Sequence, residues 1–155
     1  MKHVLKQMSA SVRRQRLDES IHCWAKKIAD PLPAVREKVQ ALVDAFRANA
    51  RIHSRAINEE VIFSAAQVLF EDRAYDSDDV AVALATACMS IDIPVKIIAA
   101  SYKGRPSFTH VYFAVRDEKG AWLKVDGTSR LPVGEVIAAE HEMEELCFLA
   151  VENNP

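Results

Sequence analysis

The stretch "YDSDDVAVALATACMSIDIPVKIIAAS", Tyr75 to Ser101, contains the passage from helix to strand on which the reading of the fold turns. Val80, Ala83, Leu84, Ala87, Cys88 and Ile91 recur at i, i+3, i+4 and i+7, the spacing of one helix face. This pattern predicts the most buried helix of the protein. Asp76 is a good N-cap, and Asp78 and Asp79 in the first turn offset the positive end of the helix dipole, so Ser77 falls at the first helical position. Asp92 and Pro94 stop the helix, and the β-rich run "PVKIIAAS" that follows has the length of a strand.

Upstream, Leu17, Ile21, Trp24 and Ile28 lie at helical intervals, and "DPLP" ends that helix because proline cannot continue the hydrogen-bond ladder. Pro33 suits the first turn of a second helix, whose apolar face is Val35, Val39, Leu42, Val43 and Phe46 and which fades at "RANARIH". A short third helix is expected to start at Ser64 and carry Ala65 to Phe70. Downstream, the strands "FTHVYFAVR" and "AWLKVD" flank "DEKG", where Gly120 supplies a left-handed turn position. Beyond Thr128, the turn "LPVG", a short Glu-rich helix and a final edge strand in "LCFLAV" are expected. Helices first and a mostly antiparallel sheet afterwards make an α+β domain. The expected organisation is an N-terminal helical extension over residues 1–30 and a main domain over 31–155, compact as one unit.

A chain of 155 residues suits a single core, and its ordinary share of hydrophobic and charged residues marks it as globular. The net charge of −2 gives no general footprint for nucleic acid or an anionic membrane. Basic residues gather at Lys2, Lys6, Arg13, Arg14 and Arg16, and acidic ones at Glu135, Glu140, Glu142, Glu144, Glu145 and Glu152; solvated faces are the ordinary meaning of such runs. The N-terminal segment is too broken by charge for a signal peptide or membrane anchor, so the expected location is cytoplasmic. Cys23, Cys88 and Cys147 lie far apart among apolar residues and read as buried, reduced thiols. Neither they nor the five histidines have metal-ligand spacing, so no metal and no other cofactor are expected. Oligomeric state is open.

The hairpin carries a geometric inference. A turn centred on Glu118 would set His110 opposite Asp126, with Cβ atoms about 5 Å apart, close enough for a hydrogen bond that fixes the imidazole tautomer. A slip in register would leave them diagonal or turn one to the other face. Ser77 starts a helix that must pack on the same sheet. A nucleophile at a helix start, a histidine on a strand and an aspartate on its neighbour follow the logic of a nucleophile-base-orienter triad. Each residue also has an ordinary structural meaning: a histidine in a strand, an aspartate before a Gly turn, a serine beside an N-cap.

The ordered combination "YDSDDVAVALATACMSIDIPVKIIAA…FTHVYFAVRDEKGAWLKVDGTSR" resembles the core of the transglutaminase-like superfamily of cysteine hydrolases and acyltransferases. That core reads as Gly-Asp-Cys-x-Asp opening a helix, then an Ile-Pro strand, a His-bearing strand and a Trp strand ending in Asp. "FRANARIH" and "SAAQVLFEDRAYD" are similar to the helical lead-in of short phage- or prophage-type members, so the likeness spans roughly residues 31 to 134. The resemblance implies that His110 is the catalytic base, Asp126 its orienting acid and Ser77 the nucleophile position. It implies an amide of a protein or peptide as substrate or binding partner.

Two positions depart from the pattern: Ser77 stands where the family has cysteine, and Tyr75 where it has glycine. Cys88 cannot substitute, being about three turns along the helix on its apolar face. A thiol of pKa about 8.5 reaches thiolate at neutral pH with help from a helix N-terminus and an imidazolium, whereas a serine hydroxyl does not. Exchange of sulfur for oxygen in such a site removes most activity. Three readings therefore stand: a member that has lost its thiol and binds a peptide or protein, an active acyl-transfer enzyme with cysteine replaced at 77, and a phage-derived assembly component using its basic N-terminal helix. Tyr75 favours a natural serine, and the retained His110 and Asp126 favour replacement.

Overall fold

The computed structural model describes residues 1–49, 51–52, 63–71, 74–104 and 107–147. The helical N-terminal part contains α1 (Lys2–Gln15), α2 (Glu19–Ala29) and α3 (Val35–Asn49), followed by β1 (Arg51–Ile52) and α4 (Ala65–Phe70). Strand β2 (Ala74–Tyr75) pairs in parallel with β1 and leads into α5 (Ser77–Ser90). Strands β3 (Val95–Ser101), β4 (His110–Arg116), β5 (Trp122–Val125) and β6 (His141–Leu146) follow and form one antiparallel sheet in the order β5-β4-β3-β6. The α+β architecture expected from the sequence is the observed one.

Helix α5 is the centre of the packing. Every position from Val80 to Met89 except Val82 is buried, so the helix is enclosed nearly all round. Asp76 Oδ1 accepts the Asp79 N–H at 3.2 Å and Asp79 Oδ2 accepts the Asp76 N–H at 3.3 Å, a reciprocal capping box that places Ser77 in the first turn. At the other end Ile93 N–H donates to Cys88 O and Asp92 N–H to Met89 O, with Asp92 at φ 64, the left-handed position that closes a Schellman motif. One sheet face, including Ile97, Ala99, Val111, Phe113 and Val115, packs into the α5 core. The other face builds a smaller cluster of Ile98, Ala100, Tyr112 and Ala114 under Tyr102, Trp122, Val136 and Ala139. Burial on both faces explains why β3 and β4 read as nearly continuous apolar runs.

Several expectations change. The single helix expected around Leu17 is two: Leu17 is 77% exposed at the corner between α1 and α2, where Asp18 caps α2 by accepting the Ser20 and Ile21 N–H groups. Both helices of the 1–30 segment reach the main core, α1 through Leu5 and Val12 and α2 through Ile21 and Ala25. The Glu-rich segment is strand β6 rather than a helix. Its alternate carboxylates find cations on the sheet, Glu144 at 2.8 Å from Lys96 Nζ and Glu142 at 2.6 Å from Lys124 Nζ, while Met143 packs on the core. The edge strand expected in "LCFLAV" lies outside the described residues from Phe148 onward. Cys23 is exposed, whereas Cys88 and Cys147 are buried as expected.

Candidate active site

The hairpin joining β4 to β5 is centred on Lys119, not Glu118: Phe113 faces Val125, Ala114 faces Lys124 and Arg116 faces Trp122. Asp117 sets this register. Its N–H donates to Ala121 O, its Oδ1 accepts the Lys119 and Ala121 N–H groups, and Gly120 takes φ 83 between them. His110 and Asp126 are therefore diagonal rather than directly opposite. The displacement is two residues, which preserves the face, and the pair closes: His110 Nε2 lies 2.7 Å from Asp126 Oδ2.

Both carboxylate oxygens of Asp126 are occupied. Oδ2 takes the imidazole, and Oδ1 accepts the Thr128 N–H at 3.0 Å and the Thr128 hydroxyl at 2.7 Å. Burial alone would push this carboxyl up, but the hydrogen bonds from His110 and Thr128 outweigh it and hold the group below the usual carboxylate range. An ionised carboxylate at Nε2 requires the proton on that nitrogen, which leaves Nδ1 as the basic atom of the neutral ring. The imidazole sits between Tyr102 and Tyr112, at ring-centroid distances of 6.2 and 6.0 Å. Tyr112 donates its hydroxyl to Glu142, which also binds Lys124.

Ser77 stands next to this pair without joining it. Its Oγ accepts the Val111 N–H at 3.4 Å, one residue along the strand from His110, and donates to Asp78 Oδ1 at 3.5 Å. Among the described residues it makes no hydrogen bond to His110. A cleft of about 580 Å³ opens over the pair, lined by Tyr102, Thr109, His110, Asp126, Thr128, Ser129 and Ile137; neither Ser77 nor Tyr75 is part of its wall. Tyr75 instead fills the core. It is fully buried, its hydroxyl shared between Gln67 O at 2.6 Å and Glu71 O at 2.9 Å, its ring edge-on to Phe63. Its backbone is not at positive φ, so no conformational need for glycine exists at this position.

Sequence reasoning missed three contributors. Thr128 had a signal, the Asp-Gly-Thr order of an Asx turn. Tyr102, which lines the cleft, follows directly on β3 with no pattern to mark it. Arg47 on α3 donates to Asp126 O at 2.8 Å and Leu131 O at 3.0 Å, and nothing in the spacing of α3 marks it. Among the described residues no three His, Cys, Asp or Glu side chains group as metal ligands, and no helix is long and apolar enough to cross a membrane.

A buried helix whose first turn meets an antiparallel sheet, with a histidine at the start of one strand and its aspartate just past the end of the neighbouring strand, defines the cysteine-protease-like class of α+β folds. The sequence model of the transglutaminase-like superfamily matches residues 22–127, and the chain belongs to that superfamily. A candidate cysteine protease from Cytophaga hutchinsonii is similar in structure with a TM-score of 0.58 and 26% identity, over 74% of this chain and 38% of its own. A candidate protease from Parabacteroides distasonis shares the fold with a TM-score of 0.56 at 16% identity, over 81% of this chain and 27% of its own. The chain thus spans less than two-fifths of either protein. No curated protein matches it.

Proposed function

We propose that this chain is a transglutaminase-like domain in which Ser77, His110 and Asp126 are the remnant of a Cys-His-Asp triad, catalytically impaired, and that its cleft binds a protein or peptide segment. The observation that carries this reading is the separation of Ser77 from the imidazole: among the described residues its hydroxyl makes no hydrogen bond to His110. The contacts of Ser77 Oγ are the Val111 N–H at 3.4 Å and Asp78 Oδ1 at 3.5 Å, and the base-orienter pair opens into a cleft that Ser77 does not line. A serine attacks only when a general base takes its proton in the transition state. The intact His110–Asp126 hydrogen bond favours a second reading, an acyl-transfer enzyme on amides that works with cysteine at position 77.

A fluorophosphonate probe and iodoacetamide distinguish the two. For the impaired domain, the probe leaves Ser77 unlabelled, and the Ser77→Cys variant alkylates no faster at position 77 than at exposed Cys23. Rapid labelling of Ser77 overturns impairment. Alkylation of the introduced thiol at more than about ten times the Cys23 rate supports the second reading, since a helix start and an imidazolium lower a thiol pKa by about one unit or more. Binding is read by enriching a displayed peptide library on the protein and repeating with Tyr102→Ala, which removes one wall of the cleft; enrichment that survives this change argues against the cleft as the binding surface.

A further inference from the structure

Asp126 directly follows the last residue of β5 and begins a loop that runs to β6 at His141, with no strand or helix to hold it. Its fixation comes from α3. Arg36 Nη1 donates to Val133 O at 2.7 Å, Gln40 Oε1 accepts the Val133 N–H at 2.8 Å, and Arg47 donates to Asp126 O, Gly127 O and Leu131 O at 2.8, 3.4 and 3.0 Å. Positions 36, 40 and 47 are spaced at one and two further turns, so one stripe of a single helix meets the loop along its length. The two ends of the stripe have different roles. Arg36 and Gln40 hold the loop at Val133, far along the chain from the carboxylate, while Arg47 grips the residue that bears it.

Resting on the reading of His110 and Asp126 as base and orienter, we propose that Arg47 is a positioning residue of this site: its guanidinium fork locks the main chain at Asp126 and Leu131 and thereby keeps the Asp126 carboxylate on His110 Nε2. The geometry suits arginine alone. A planar fork with five donors spans three carbonyls, which the compact ammonium of lysine cannot do. Gly127 lies tight against Leu84 and Val80 of α5, so the loop meets α5 as well as Arg47 of α3 at this point. Burial opposes the charge of the Arg47 guanidinium, and the carboxylates of Asp44 and Asp126 offset that only in part. Among the described residues its hydrogen bonds to the site are to the main chain of Asp126 and of the loop that follows it.

The test reads the proton between His110 and Asp126 directly. In the unaltered protein, the His110 Nε2–H resonance, identified by its disappearance in His110→Gln, exchanges slowly with solvent. In Arg47→Met, which keeps an unbranched apolar stem and loses the fork, the exchange rate of that proton rises about tenfold or more, a factor equivalent to about 1.4 kcal/mol. Arg36→Met removes a bond of the same stripe at the far end and leaves the rate unchanged. A folded Arg47→Met with unaltered exchange overturns the proposal, as does Arg36→Met raising the rate equally. If Arg47→Met does not fold, Arg47→Lys is read in its place: faster exchange supports the assignment and unchanged exchange overturns it. The readout needs no turnover, so it stands even if the proposed chemistry of Ser77 fails.

Discussion

His110 and Asp126 are two residues out of cross-strand register, yet His110 Nε2 and Asp126 Oδ2 meet at 2.7 Å. A strand alternates faces every residue, so a displacement of two keeps both side chains on one side of the sheet, and the diagonal is spanned by an imidazole and a carboxylate that leaves the strand just beyond Val125. A displacement of one would have put them on opposite faces. The site thus depends on where Asp117 centres the turn.

Asp126 makes the protein sensitive to acid in a defined direction. Its carboxyl is held below the ordinary value, so its contribution to stability is full above the unfolded pKa of about 3.9 and is lost as pH falls through the lower folded value. Asp126→Asn is expected to cost about 1.5–3 kcal/mol at pH 7, the range for hydrogen bonds to a charged group. Urea unfolding of both proteins from about pH 7 down to about pH 2.5 checks this: the gap between them narrows below about pH 4.

Gly127 has no room for a side chain. A Cβ there would lie 2.5 Å from Leu84 Cδ1 and 2.7 Å from Val80 Cγ1, both on the enclosed helix α5. Gly127→Ala is expected to destabilise by about 1–3 kcal/mol, as overpacking does, and to displace the neighbouring Asp126. Equilibrium unfolding gives the first quantity, and chemical-shift change at His110 reports the second.

The three thiols are expected to separate cleanly by reactivity. Burial pushes Cys88 up to about 12 and, with Ser9 and Arg13 opposing it only partly, Cys147 up to about 11. Cys23 is exposed. Iodoacetamide at about pH 8 followed by peptide mass spectrometry should find label at Cys23 alone in the folded protein and at all three in denaturant, because the thiolate is the reactive form.

Helix α1 packs into the main core through Leu5 and Val12. Leu5 is fully buried in the same core as α5, and Ser9 donates to Leu146 O on β6 at 2.7 Å. Leu5→Ala is expected to cost about 2–5 kcal/mol, measured by denaturant or thermal unfolding. A loss under about 0.5 kcal/mol, the level of an ordinary surface change, would show α1 to be dispensable.

Local sequence signals determined the elements of this protein. The periodicity from Val80 to Ile91 made α5, the carboxylates around Ser77 capped it, Ser64 and Gln67 started α4, and Gly120 turned the hairpin. These depend on neighbours within about four residues along the chain, which is the range over which helix and turn preferences act. The same range explains the Glu-rich segment, whose helical composition yielded to a strand because Lys96 and Lys124, distant in sequence, supply its partners.

Hairpin spacing and the helix start picked out Ser77, His110 and Asp126, the resemblance to the family implied their roles, and the sequence by itself shows serine at position 77. Only the tertiary structure decided how these residues meet. The two-residue offset came from the turn at Asp117, Ser77 stayed without a hydrogen bond to His110 among the described residues, and Tyr75 went into the core instead of over the cleft. Arg47 became the anchor of the Asp126 loop across 79 residues of chain, a separation at which spacing carries no information and only packing sets the contact.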